Sequence, residues 1–131
     1  MKETNKKKED LTVEIGFLEG LRARMPDDTE TLKLLGDDYT RAGRWKEGLD
    51  VDRELAQLLP KDSMVQYNLA CSMSLLGRVR ESAEAVHRAI ELGYNHWDWL
   101  MKDPDLVNLR KGEEFKAIFA LMPDRTAKKS T

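Results

Sequence analysis

At 131 residues the chain is about one domain long, enough to bury one continuous core. It is 40% hydrophobic and 35% charged, and no stretch approaches the ~20 apolar residues of a membrane-spanning helix, so no membrane association is expected. Twenty-two basic and 24 acidic side chains leave a net charge of −2, which offers no general attraction for nucleic acid or anionic lipid, and neither is expected as a partner.

Residues 1–9 are dense in charge, including Lys6-Lys7-Lys8 among Glu3, Glu9 and Asp10, with no apolar run behind them. They read as a disordered charged tail rather than a secretory signal. The lone Cys71 cannot close an internal disulfide, which agrees with a reducing compartment, and a cytoplasmic protein is expected. One domain follows over residues 10–123. Its first helix, 10–26, places Leu11, Ile15, Leu18 and Met25 on one side and carries Val13, Phe17 and Leu21 elsewhere, with Pro26 as the stop.

The segment 29–62 pairs two helices. Leu32, Leu35 and Tyr39 recur at helical spacing, Ala42-Gly43-Arg44 makes a turn in which Gly43 takes a positive φ, and a second helix runs from Trp45 to Leu59. Trp45, Gly48, Leu49, Leu55, Ala56 and Leu59 are expected to face the core, and Pro60 ends the run. The same plan returns over 63–96, with Leu69, Ala70 and Met73, a turn at Gly77, then Val79, Ala83, Val86, Ala89 and Ile90. A shift of 34 residues matches Pro26 to Pro60, Leu35 to Leu69, Gly43 to Gly77, Arg44 to Arg78 and Glu47 to Glu81.

Closing helices occupy 97–122. Asn95-His96-Trp97-Asp98 offers a polar start, Asp103-Pro104-Asp105 restarts the chain, and Phe115, Ile118, Phe119 and Met122 give a final amphipathic helix, with Trp97 and Trp99 as core anchors beneath it. Residues 124–131 read as a second disordered tail.

No glycine pattern cradles a phosphate. His87, His96 and Cys71 fall on different predicted helices, so no metal, cofactor or catalytic site is expected. The acidic pair Asp37-Asp38 reads as solvated charge.

Leu32, Leu35-Gly36, Tyr39, Gly43, Gly48 and Pro60 together resemble the tetratricopeptide repeat, and the run from Tyr67 through Phe115 is similar to the closing repeat of bacterial arrays of that family. Asp52 departs from the pattern, standing where the family places a large apolar residue, and Leu55 stands where it places a small one. The resemblance implies an all-α fold of antiparallel helix-turn-helix repeats stacked as a short right-handed α-solenoid, and a non-catalytic adaptor or scaffold that holds a protein or peptide in its concave groove. The groove residues it implies are Lys33, Asp37, Arg41, Met64, Tyr67, Asn68, Cys71, Leu75 and Lys102, with Tyr67, Asn68 and Met64 exposed near the centre. Members that dock chaperone tails hold a carboxylate with Lys and Asn. Lys33 and Asn68 match them, but Asp37 and Asp98 would repel it. The alternative is a structural module that forms a twofold dimer through the helix Leu11 to Met25.

Overall fold

The computed structural model describes residues 2–123, with side chains from Lys6 onward, and all regular structure in that span is helical. Helix α1 runs over Lys2–Arg24, α2 over Thr29–Arg41, α3 over Trp45–Leu58, α4 over Ser63–Leu75 and α5 over Val79–Glu91. The short helices α6 (Trp97–Leu100), α7 (Val107–Lys111) and α8 (Phe115–Leu121) follow, with a single 3₁₀ turn at Pro104–Leu106 between α6 and α7. Residues 124–131, read as a tail from sequence, lie outside the described residues.

Local chemistry fixes where each helix begins and ends. Asp28 and Asp62 sit at the N-caps of α2 and α4: Asp28 Oδ2 accepts from the Thr31 amide at 3.1 Å, and Asp62 Oδ1 accepts from the Met64 and Val65 amides at 2.9 and 3.1 Å. Gly43 and Gly77 both stand at φ 76°, as predicted, and close equivalent left-handed caps. In one, the Arg44 amide donates to the Tyr39 carbonyl at 2.8 Å; in the other, the Arg78 amide donates to the Met73 carbonyl, also at 2.8 Å. Arg44 then pairs with Glu47, and Arg78 with Glu81, across the first turns of α3 and α5. The 34-residue repetition in the sequence is thus a repetition of caps, turns and ion pairs.

Each helix packs on the next, α1 on α2, α2 on α3, α3 on α4 and α4 on α5, and the C-terminal elements fold back onto α4 and α5. Two apolar cores result. One joins Ile15 and Leu18 of α1 to Leu32, Leu35, Tyr39, Val51, Leu55 and Val65. The larger one centres on α4 and α5 and takes in Tyr94, Leu100, Leu106, Leu109, Phe115 and Ile118. Ser82 Oγ, fully buried, donates to the Ala70 carbonyl at 2.7 Å and ties α5 to α4.

Four sequence expectations need correction. The charged segment 2–9 is helical and continuous with α1 rather than disordered, because it is rich in Lys and Glu, both good helix formers, and no Gly or Pro interrupts it. Trp45 and Trp99 are 38% and 46% exposed rather than core residues, while Trp97 does pack against the larger core. Asp38 is buried, not solvated. It faces Arg41, with Oδ1 3.4 Å from the guanidinium, and burial together with the charge of Glu14 on α1 pushes its carboxyl up from the usual range.

Candidate functional site

A groove of about 390 Å³ lies against α2 and α4 and is closed by α6 and the 3₁₀ turn. Six residues of the predicted face line it: Lys33, Asp37, Met64, Tyr67, Asn68 and Cys71. The other three do not join them. Arg41 is exposed and paired with Asp37 and Asp38, Leu75 is half-buried at the end of α4, and Lys102 belongs to a separate depression with Trp97 and Pro123.

Tyr67 departs most from expectation. It is 2% exposed rather than presented to solvent. Its ring stacks on Tyr94 with centroids 4.3 Å apart, and its hydroxyl donates to Asp103 Oδ2 at 2.5 Å. The physical reason is the return of the chain after α6, which lays Asp103 over α4. Asp103 Oδ2 also takes the Cys71 thiol at 3.7 Å, while Oδ1 accepts the Asp105 amide at 2.9 Å. This wall is therefore a satisfied hydrogen-bond network. Burial, reinforced by the charge of Asp103, pushes the Cys71 thiol well up, which favours its protonated form over the thiolate. The Cys71 sulfur and carboxylate oxygens of Asp103 and Asp105 lie within 4.8 Å of one another, a juxtaposition that sequence spacing did not reveal. These are the atoms that could hold a metal, but both oxygens of Asp103 are already engaged.

Around this wall the groove is acidic. Among the described residues, Asp37, Asp52, Asp62, Asp103 and Asp105 line it against one base, Lys33, whose ammonium pairs with Glu30 at 3.8 Å. Burial lifts the Asp105 carboxyl, helped by Asp103 and Asp37. Asp52 is buried on α3, where its Oδ2 accepts from Ser72 Oγ at 2.5 Å. Burial pushes its carboxyl up to about 6, the Ser72 bond opposing and the Asp37 charge adding to the rise. At the rim Met64 and Trp99 are 44% and 46% exposed, the apolar part of the surface. Sequence reasoning missed Trp99, Asp103 and Asp105 as lining residues. Only Asp52 left a signal, as a carboxylate in an apolar position of the repeat.

A second depression, about 590 Å³, lies beside α1 and α3. In it Arg22 pairs with Glu54, and Glu19 accepts from the Tyr39 hydroxyl and pairs with Arg44. Among the described residues no helix is long and apolar enough to cross a membrane.

No family model matches the chain. It is similar to a chloroplastic protein of Arabidopsis thaliana, at 30% identity over 83 residues, which cover 61% of this chain. The match spans only 25% of that relative's own length.

Proposed function

We propose that the protein is a non-catalytic interaction module of the tetratricopeptide type, a short α-solenoid that holds a segment of a partner protein in the groove between α2, α4 and the α6 region. The observation that carries this reading is the groove's composition: exposed Met64 and Trp99 supply adaptable apolar contact beside the exposed amide of Asn68, which can bond a main chain. Repetition of caps and turns at 34 residues supports the stacked-repeat reading. A buried thiol whose ionisation is disfavoured and an Asp103 carboxylate engaged in structural hydrogen bonds favour binding over catalysis at this site. The buried, unpaired Cys71 also suits a reducing compartment such as the cytoplasm.

The test is partner capture by variants of exposed groove residues. Trp99→Ala with Met64→Ala should lose the partners recovered by the parent chain while melting as the parent does, since both side chains are already half in water. Equal recovery by both proteins would move the working surface elsewhere.

A second reading is favoured by one observation. On α1, Val13 and Phe17 are 71% and 63% exposed on a helix whose other side is buried by Ile15 and Leu18. Such a face suits a second copy of the chain. Sedimentation at rising concentration tests it: a mass that stays monomeric removes the reading.

A further inference from the structure

The groove contains one polar group whose burial the fold itself does not explain. Asp52 is 6% exposed, yet only Oδ2 is satisfied, by Ser72. Oδ1 has no hydrogen-bond or ion-pair partner among the described residues, and it lies on the side of Asp52 that faces Gly36, another residue of the groove lining. Burying a carboxylate in this half-satisfied way is costly. The neighbouring backbone keeps that oxygen clear. Gly36 on α2 also lines the groove, and a Cβ there would stand 3.0 Å from Asp52 Oδ1 and 3.4 Å from Val51 Cγ1. A residue without a side chain is what leaves Oδ1 reachable from α2. Further along the lining, the Asp105 carboxylate is half-buried and also has no hydrogen-bond or ion-pair partner among the described residues, and Asp37 acts electrostatically on both Asp52 and Asp105. Among the described residues the one basic group of the lining, Lys33, pairs with Glu30, and Arg41, outside the lining, pairs with Asp37, so neither cation reaches Asp52 or Asp105.

Resting on the groove being the binding surface, we propose that its occupant is a peptide segment read through one cationic side chain, lysine or arginine, whose charged head bonds Asp52 Oδ1 between Asp37 and Asp105 while its aliphatic stem lies along Met64 and Trp99. A buried, unpaired acceptor gains most from a donor that carries charge, and long basic side chains combine an apolar stem with a charged tip. An acidic segment meets five carboxylates here, and a neutral one leaves Oδ1 unsatisfied.

The experiment is fluorescence anisotropy on the full chain with labelled peptides of one leucine-alanine scaffold, whose central residue is lysine, arginine, norleucine or glutamate. The lysine and arginine peptides should bind about tenfold or more tighter than the norleucine peptide, in line with the cost of unpairing a buried charge, and the advantage should shrink with added salt. Asp52→Asn should remove most of that advantage. Gly36→Ala should do the same by crowding Oδ1, with every carboxylate kept and helix propensity improved. Should Asp52→Asn fail to fold, Gly36→Ala still answers: an undiminished preference for the cationic peptides in that variant overturns the proposal. If all four peptides bind alike and lose binding only when Met64 and Trp99 become alanine, the groove remains a peptide site and the charge reading falls. If none binds, both readings fall.

Discussion

Replacing Asp52 by asparagine should stabilise the protein near neutral pH and leave it unchanged in acid. Burial holds this carboxyl at about 6 in the folded chain against an ordinary 3.8. The native state therefore binds the proton more tightly than the unfolded state does. The stability that the protonated form contributes is fully present below 3.8 and is lost as pH rises through about 6. That difference in proton affinity is worth about 3 kcal/mol at most, and asparagine, which keeps a carbonyl for the Ser72 hydroxyl, should recover roughly 1–3 kcal/mol of it at about pH 8. Urea unfolding followed by circular dichroism, on both proteins at about pH 4 and about pH 8, measures the effect as a shift in midpoint at constant slope. Comparing variant with parent at each pH cancels the other buried carboxyls, Asp38 and Asp105, whose affinities for the proton are also raised. A variant less stable than the parent at the higher pH, or a difference that does not change with pH, would refute the claim that Asp52 is a charge held against the fold's own interest.

Gly43→Val and Gly77→Val each force a β-branched residue into φ 76° and should cost about 1–3 kcal/mol, read as a lower melting temperature; parental melts for both would mean that the turns tolerate side chains. Tyr67→Phe keeps the stack on Tyr94 but removes the donor to Asp103 Oδ2, so chemical denaturation should register a loss of about 1–2 kcal/mol, whereas an unchanged midpoint would make that hydrogen bond dispensable. Because Tyr67 is buried, this variant should act on stability first, unlike Trp99→Ala, for which binding should change with the melt intact. Val13→Glu with Phe17→Glu should leave folding stability within about 0.5 kcal/mol, since both residues are exposed, and should abolish any concentration-dependent mass seen for the parent; a retained dimer would put self-association on another face.

Which features the sequence revealed follows from the range over which each is encoded. The starts of α2 and α4 at Thr29 and Ser63 and the left-handed glycines at Gly43 and Gly77 are local signals, each written within a few residues of where it acts. So is the apolar spacing that selects Leu32, Leu35 and Leu69 for the core. Tyr67 was misread for the opposite reason. Its burial depends on Asp103, 36 residues later, folding back over α4, and no local pattern announces that return. Likewise Asp103-Pro104-Asp105 reads as a helix restart, and it is one, since Asp103 caps the 3₁₀ turn, but the same carboxylate also closes the groove. The charged segment before Leu11 was ambiguous in kind, because lysine and glutamate are as common in exposed helices as in solvated tails. Asp52 was legible only as an exception to the repeat, and the structure supplies the reason to look at it: an unpaired oxygen facing a groove.

The most direct test of the groove as the working surface is site-specific photo-crosslinking in the source cells. A photoreactive phenylalanine analogue replaces Asn68, exposed in the groove, in one protein, and His87, exposed on α5, in another. The groove position should give a discrete crosslinked partner that disappears when Trp99→Ala and Met64→Ala are added, with no product from the α5 position. A partner captured from α5 and not from position 68 would contradict the account.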